Sequence, residues 1–457
     1  MKLIFVHGWS VTSTDTYGGL PEVLATKAPE YLDLDIVHIY LSKYISFHDE
    51  VIMEDISRAF ERARLDEIGD EKFSCITHST GGPVIRNWIE LYYGAERLNE
   101  LPLKHLIMLA PANHGSALAQ LGKSRLGRIK SQFKDVEPGE KILNWLELAS
   151  RDQWGLNFAW LSYKTAKNGF YPVVLTGQSI DKKIYDHLNA YTGERGSDGV
   201  IRVCAANMNY RYIKLVQNTK NSSESNSNIH KLEIEKNLLL SSPDTPLGIV
   251  PNASHSGKKK GIMNSVSRRN AHNKPVVKSI IQALQIDSEA GYHDYVEQMR
   301  ILSNHTQGNR NRYSMFVFYI HDDRGNAVND YDLFLLGGKE YDEDSLPKGF
   351  FVDRQRNKIN QNCLTYYLNS TKMTAIKDDC LGFRIVARPK DGFSYYTVGE
   401  FRSENMTVKD IFKDNQTTLV EIELKRHVDV NVFWLEKLKD RSGRFKKTEP
   451  EIRDIEV

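Results

Sequence analysis

The run Phe73-Ser74-Cys75-Ile76-Thr77-His78-Ser79-Thr80-Gly81-Gly82 decides the fold. An apolar strand ends at a serine in a tight turn, and a helical pattern follows with Val84, Ile85 and Trp88 on one side. A nucleophilic serine needs this order, because a sharp strand-to-helix turn lifts its oxygen above the edge of a sheet. The run therefore predicts Ser79 as a nucleophile. The alternative is a turn without chemistry, since serine and glycine are common in turns.

The residues two positions before and after Ser79 bear on this interpretation. Small side chains there allow the strand and the helix to pass closely, and Gly81 satisfies the second position. Thr77 stands at the first position, where glycine is usual, so its β-branched side chain must fit the end of the strand.

Strand and helix signals alternate through the first 285 residues. Helical patterns lie at about 48–66, after Ser79 and at 276–286. Such alternation predicts a mostly parallel sheet covered by helices, an α/β architecture. The strand candidates are 2–6, 35–41, 72–77, 104–110, 171–177 and 199–205.

Two insertions and a change of period outline the domains. Residues 111–170 are rich in tryptophan and leucine and predict a helical, lid-like insertion, and residues 208–240 predict a polar hairpin. After about residue 312 the apolar period becomes two, which is typical of an antiparallel β-sandwich. We expect a catalytic domain over 1–287, a linker over 288–311 and an all-β, immunoglobulin-like accessory domain over 312–457 that ends in a charged tail.

The composition excludes some classes of protein. Of 457 residues, 40% are hydrophobic and 26% are charged, as in ordinary globular proteins, and the net charge of +2 gives no global field that selects nucleic acid.

The start Met1-Lys2-Leu3 leads directly into a strand pattern rather than a signal peptide, so we expect a cytoplasmic protein or one exported by a leaderless route. The four cysteines form no CxxC pair, and we predict free thiols, no metal and no cofactor.

An oxyanion hole is predicted at the start of the chain. Acyl transfer requires two N–H donors directed at the developing oxyanion. One comes from the residue after the nucleophile, Thr80, and the other from the loop after an early strand. The apolar strand that ends in His7-Gly8-Trp9 makes Trp9 the candidate for the second donor. A plain strand-to-loop turn is the alternative interpretation of His7-Gly8.

Three motifs together resemble the α/β-hydrolase lipases and esterases. They are His7-Gly8-Trp9, Thr77-His78-Ser79-Thr80-Gly81 and Leu109-Ala110-Pro111-Ala112-Asn113-His114-Gly115-Ser116, and the resemblance covers roughly residues 1–285. The last run is similar to a Pro-x-x-x-Gly-Ser/Thr segment of many bacterial lipases. On architecture alone, the chain also resembles bacterial lipase toxins that are delivered into rival cells.

The chain order in this fold is nucleophile, acid and histidine. Ser197-Asp198-Gly199-Val200-Ile201 looks like the lipase Asn/Ser-Asp-Gly-x-Val motif, which makes Asp198 the acid, with Asp181 and Asp186 as alternatives. His255 lies in a loop of small residues and is the predicted base. The other candidates for the base are His230 and His272, while His7, Gly8 and His78 are expected to support the site.

Basic residues near the predicted site suggest the substrate. Lys258-Lys259-Lys260 follow His255, and a second basic run lies in the insertion. Such residues suit an anionic head group or membrane surface, although a solvated charged face is the alternative. We expect a lipase or phospholipase A, with the β-domain as a docking module for a partner. The alternatives are a soluble esterase or thioesterase, and an inactive binding protein. The basic residues of the insertion are Lys123, Arg125, Arg128, Lys130 and Lys134.

Overall fold

The computed structural model describes residues 1–7, 15–46, 48–124, 139–180, 194–218, 229–389, 393–404 and 406–428. None of the helices in these ranges combines the length and the apolar character that a bilayer-spanning helix requires. In chain order the helices are α1 (Leu20–Lys27), α2 (Met53–Ile68), α3 (Gly81–Tyr92), α4 (Ala117–Ser124), α5 (Glu140–Leu146), α6 (Arg151–Trp160), α7 (Val203–Ala206), α8 (Pro275–Leu284), α9 (Glu289–Gln307) and α10 (Val408–Ile411).

Six strands form the central parallel sheet, in the order β2-β1-β3-β4-β5-β8. All neighbours in it are parallel. This sheet with its helices confirms the predicted α/β-hydrolase core. The strands in the first part of the chain are β1 (Lys2–His7), β2 (Asp35–Tyr40), β3 (Phe73–His78), β4 (Leu103–Leu109), β5 (Tyr171–Gly177), β6 (Tyr210–Gln217), β7 (Ile229–Ser241) and β8 (Leu247–Val250).

Both faces of this sheet are covered, which explains why the inner strands are buried along most of their length, whereas the edge strand β2 is only partly buried. On β1, Ile4 and Val6 point into a core that includes α2 and α3 residues such as Trp88. Leu3 and Phe5 point to the opposite side, into a core built with α1, α8 and α9. The alternation follows from the period of two in a strand, which sends neighbouring side chains to opposite faces.

In the central sheet, one predicted strand was wrong and one observed strand was not predicted. Within 199–205 the chain forms the short helix α7 rather than a strand, although Ile201, Val203 and Cys204 are fully buried. The sixth strand of the sheet is instead β8, which has only four residues and pairs with β5. A short apolar run does not reveal by itself whether it is a strand or another buried segment.

The stretch interpreted as a linker is mostly the helix α9. Its apolar face buries Tyr292, Tyr295 and Met299 against the hydrolase core, and Ser288 caps its N-terminus by accepting a hydrogen bond from Gly291 N. Polar residues dominate its sequence because the opposite face is exposed, which is why composition suggested a linker.

The second sheet has nine strands in the order β10-β13-β15-β7-β6-β16-β9-β12-β11. The predicted hairpin, β6 and β7, is therefore part of this sheet. The sheet is mixed rather than antiparallel, because β7 pairs in parallel with β15, and β16 pairs in parallel with both β6 and β9. Its remaining strands, together with the small pair β14 and β17, are β9 (Tyr313–Asp322), β10 (Asp330–Gly337), β11 (Phe351–Arg356), β12 (Cys363–Asn369), β13 (Leu381–Arg388), β14 (Ser394–Tyr395), β15 (Val398–Arg402), β16 (Thr417–Leu424) and β17 (His427–Val428).

This sheet folds over itself and encloses a core between its two halves. The rings of Phe316 and Phe318 on β9 lie 5.1 and 5.2 Å from Phe383 on β13, although these strands are not neighbours in the sheet. Apolar side chains from β10, β12 and β16 complete the same core. The all-β region predicted after residue 312 is confirmed, with a single folded sheet in place of two separate antiparallel ones.

The two regions also share an apolar core. On β9, Phe316 and Phe318 point into the enclosed core, whereas Met315 and Val317 point the other way. The latter two belong to the same apolar cluster as Trp154 of the insertion and as the α2 and α3 residues of the hydrolase. The all-β region therefore covers apolar surface of the hydrolase.

A chain that ends after residue 287 is expected to aggregate or to lose its cooperative unfolding transition. The truncation exposes the shared core, and the hairpin of β6 and β7 loses β16 on one side and β15 on the other, so both of its edges are left open. Circular dichroism and thermal unfolding of the truncated and full-length chains measure the effect. A monomeric truncated chain that unfolds cooperatively near the full-length temperature contradicts this account of the fold.

Candidate active site

Ser79 lies in a sharp turn between β3 and α3. Its φ is +53°, a left-handed value that a residue other than glycine adopts at a cost in backbone strain. Its N–H donates to the Leu109 carbonyl at 3.0 Å, and its own carbonyl accepts from Ala112 N at 3.3 Å. The end of β4 thus holds the turn from both sides, so that the serine side chain stands at the carboxyl edge of the sheet.

Close packing at the turn explains the small residues around Ser79. A Cβ added to Gly82 would lie 2.8 Å from the Pro111 Cβ, and one added to Gly81 would lie 3.1 Å from the Thr77 Cβ. Thr77 is fully buried, so the β-branched side chain fits the end of the strand. Gly82 is the more tightly restricted glycine, which the motif did not reveal.

The structure brings Ser79, His255 and Asp198 together in one hydrogen-bonded line. His255 Nε2 lies 3.1 Å from Ser79 Oγ, and His255 Nδ1 lies 3.0 Å from Asp198 Oδ2. Asp198 is fully buried and only 2% of the His255 surface is exposed. A serine, an imidazole and a carboxylate in this order can remove the serine proton and stabilise the imidazolium that results.

Backbone groups hold the Asp198 carboxylate in place. Its second oxygen, Oδ1, accepts hydrogen bonds from Val200 N at 3.0 Å and from Ile201 N at 2.7 Å. The Asp198 carbonyl accepts from His255 N at 3.0 Å, which ties the two loops directly. The carboxylate is oriented before any substrate arrives.

The other histidine candidates lie elsewhere. His272 is exposed in a short 3₁₀ turn over Ala271–Asn273, and His230 is on β7 with its ring 6.4 Å from that of His427. The alternative acids Asp181 and Asp186 lie outside the described residues.

His78 supports the loop that carries His255. Its Nε2 lies 3.0 Å from the His255 carbonyl oxygen, and the two imidazole rings are 4.6 Å apart. Burial and the neighbouring His255 lower the pKa of His78 well below its usual value, so the ring is neutral and its Nε2–H donates to that carbonyl. This contact fixes a backbone atom of His255 rather than its reacting nitrogen.

His7 supports the end of β1. Its Nε2 lies 2.9 Å from His38 Nδ1, and its Nδ1 lies 3.2 Å from Thr16 Oγ1. Burial and the neighbouring His38 lower the pKa of His7 to about 3, so this histidine is neutral at physiological pH. Gly8 and Trp9 lie outside the described residues, and with them the second predicted oxyanion donor.

The first predicted donor, Thr80, is the N-cap residue of α3. The N–H groups at the start of a helix have no partner within the helix and lie at its positive end. Thr80 follows Ser79 directly at this end of the helix, and its role as an oxyanion donor stays a prediction.

The insertion mainly packs onto the hydrolase. Trp145, Trp154 and Trp160 are 4%, 7% and 0% exposed, which agrees with packing rather than with the lining of an open pocket. Phe158 is the exception in this group, at 45% exposed. Among its basic residues, Arg125, Arg128, Lys130 and Lys134 lie outside the described residues, and the side chain of Lys123 is likewise not described.

The described parts of the chain contain no cluster of three or more His, Cys, Asp or Glu side chains arranged to hold a metal ion. All four cysteines lie in those parts and are free thiols. Asp322 shapes a turn, because its Oδ1 accepts from Arg324 N at 3.0 Å and from Asn326 N at 2.8 Å.

Gly82→Ala is expected to destabilise the protein by about 1–3 kcal/mol, because its methyl group overlaps Pro111 in a packed turn. Gly155→Ala is the matched control. Gly155 lies on the exposed face of α6 with open space where the Cβ would be, so this change is expected to stabilise by about 0.5–1 kcal/mol. Thermal unfolding measures both, and equal melting temperatures for the two variants contradict the packing described.

Two solved structures are similar to the whole chain. Phospholipase PlaB from Legionella pneumophila is 43% identical, with a TM-score of 0.87, and the match covers 97% of this chain and 98% of that one. The same phospholipase in complex with thio-NAD is 42% identical, with a TM-score of 0.86 over the same shares of the two chains. No family model and no curated protein sequence matches this chain. At 43% identity over 97% of its length, this chain belongs to the family of phospholipase PlaB, a family of α/β-hydrolase lipid ester hydrolases.

Proposed function

We propose that this protein is a phospholipase A that cleaves carboxylic ester bonds of lipids with Ser79, His255 and Asp198 as its catalytic triad. The contact of 3.1 Å between His255 Nε2 and Ser79 Oγ carries the proposal, because a general base must reach the proton that it removes. The relationship to phospholipase PlaB supports a lipid ester as the substrate.

The proposed reaction has two halves. His255 Nε2 takes the Ser79 hydroxyl proton as Oγ attacks the acyl carbonyl, and the imidazolium then protonates the departing alkoxide. Water, activated by the same imidazole, hydrolyses the acyl-serine and regenerates the hydroxyl. Asp198 orients His255 through Nδ1 and stabilises the imidazolium, while the N–H groups of Thr80 and Trp9 bind the oxyanion.

Ser79→Ala and His255→Ala are each expected to lower kcat by about 10⁴-fold or more, because each removes an atom that takes part in the proton transfer. Asp198→Asn is expected to lower it strongly by disturbing the imidazole tautomer. The measurement is release of fatty acid from phospholipid vesicles, and of nitrophenol from a short ester. Ser162→Ala, at an exposed serine, is the control. Full activity in folded Ser79→Ala protein overturns the assignment.

A preference for anionic lipid surfaces is the second part of the proposal. Lys258 and Lys259 are exposed, and they follow His255 in the same loop region. Basic side chains close to an anionic leaflet contribute about 1 kcal/mol each to binding, and salt screens that attraction.

The double variant Lys258→Glu/Lys259→Glu is expected to lose at least roughly tenfold in activity on anionic vesicles at low salt, because two attractive charges are reversed. Hydrolysis of a short soluble ester is expected to stay unchanged. Lys278→Glu, at an exposed lysine of α8, is the control. Equal losses on vesicles and soluble ester, or no loss on either, contradict the surface preference and favour a soluble acyl substrate.

A further inference from the structure

The segment that carries Asp198, residues 194–202, is here named the acid loop. An isolated bridge pairs Ser197 with Arg202, and the N–H of Val203, directly after the loop, donates to the Gly196 carbonyl at 2.9 Å. The direction of the Asp198 carboxylate depends on the shape of this loop, because Val200 N and Ile201 N in the same loop bind its Oδ1.

The Arg202 side chain closes the acid loop a second time. Its Nε and Nη2 donate to the two carboxylate oxygens of Glu194 at 2.9 and 2.7 Å. A bidentate pair of this kind fixes direction as well as distance, because both groups are planar. Arg202 is only 2% exposed, so water does not compete for these bonds.

The C-terminal sheet contributes the other half of the Arg202 environment. Asp353 of β11 accepts from the same Nη2 at 2.7 Å, and the ring of Tyr367 on β12 lies 4.0 Å from the guanidinium carbon. The Tyr367 hydroxyl donates to the Arg195 carbonyl within the acid loop at 2.6 Å. Strands β11 and β12 lie 150 or more residues further along the chain than the acid loop. They nevertheless contact it through the Asp353 carboxylate and through the ring and hydroxyl of Tyr367.

The approach of the sheet to the loop leaves no space between them. Gly196 has a φ of +79°, and a Cβ there would lie 2.5 Å from the Tyr313 ring and 2.5 Å from the Tyr367 hydroxyl oxygen. The acid loop therefore rests directly on two tyrosine rings of the C-terminal sheet, which are stacked on each other at 5.3 Å.

The charged groups around Arg202 favour its ionised form. Burial alone lowers the pKa of Arg202, but the carboxylate of Glu194, together with Tyr367 and Asp353, outweighs this and raises it above the usual value. Two carboxylates surround one guanidinium, so that loss of the Asp353 charge still leaves Arg202 paired with Glu194. A variant at Asp353 is therefore expected to fold and to lose only the tie between sheet and loop.

We propose that Asp353 and Tyr367 are positioning residues for catalysis, which act through Arg202 and Arg195 to hold the acid loop so that Asp198 faces His255. The inference rests on the proposed function, since it assigns a purpose to the position of Asp198. It also gives the C-terminal sheet a part in the reaction that requires no contact with the substrate. The sheet supplies the support, and the hydrolase supplies every reacting group.

The test compares full-length Asp353→Asn and Tyr367→Phe with Asp330→Asn. Asp330 pairs with Arg388 at 2.7 Å on the same sheet, but both of these side chains are exposed, and the pair joins β10 to β13 rather than to the acid loop. Asp353→Asn keeps the shape and removes the charge, and Tyr367→Phe keeps the ring and removes the hydroxyl. Both preserve the packing: Asp353→Asn weakens the charge-assisted hydrogen bond to Arg202, and Tyr367→Phe removes the hydrogen bond to the Arg195 carbonyl.

The first readout is steady-state hydrolysis of a short nitrophenyl ester. The expected result is a fall in kcat of roughly ten- to a hundredfold in Asp353→Asn and in Tyr367→Phe, with KM within about twofold, because a small displacement of a catalytic group costs rate rather than binding. Asp330→Asn is expected to match the unmodified protein. The second readout is the proton resonance of His255 Nδ1–H, which is expected to shift or broaden in the two test variants alone.

Three results overturn the proposal. They are unchanged kcat in both test variants, an equal loss in Asp330→Asn, and failure of both test variants to fold, since the proposal requires a folded protein with a displaced loop. An active Ser79→Ala protein, by contrast, overturns the proposed function itself. If Ser79→Ala is inactive while Asp353→Asn and Tyr367→Phe keep full kcat, the triad stands and only the role of the C-terminal sheet is wrong.

Discussion

The hydrogen bond between His255 Nε2 and Ser79 Oγ, at 3.1 Å, is the contact on which the account depends. Its two residues are 176 positions apart in the chain, so only tertiary structure can set the distance. The parallel sheet makes the meeting possible, because the carboxyl ends of its strands lie at one edge. The strained turn at Ser79 and the buried carboxylate of Asp198 then fix the two ends of the hydrogen-bonded line that has His255 in its middle.

The free energy that this arrangement costs is offset by contacts in several parts of the molecule. A serine at φ +53° and a buried carboxylate are both unfavourable unless the surroundings hold them. The end of β4 holds the first, and backbone N–H groups hold the second. The core that the all-β region shares with the hydrolase stabilises both, since β9 sends alternate side chains into each of two cores. A second region that stabilises the first in this way is part of one structure rather than an appendage.

Much of the site could be predicted from the sequence because its signals are local. The strand, turn and helix around Ser79 are contiguous, and the loops of Asp198 and His255 have distinctive small residues. Pairings between distant segments leave no such signal. The joining of β6 and β7 to the C-terminal sheet and the contact of Arg202 with Asp353 depend on neighbours that are remote in sequence. The helix over Glu289–Gln307 was missed for another reason, because polar residues dominate its sequence. An apolar run such as 199–205 is likewise ambiguous until its neighbours are known.

The central claim is that Ser79 is the nucleophile and that His255 activates it. The most direct measurement is covalent labelling of the full-length protein with a fluorophosphonate probe, followed by peptide mass spectrometry. We expect a single adduct on Ser79, whose rate of formation falls sharply in His255→Ala. An adduct on another serine, or labelling of Ser79 at an unchanged rate without the imidazole, would contradict it.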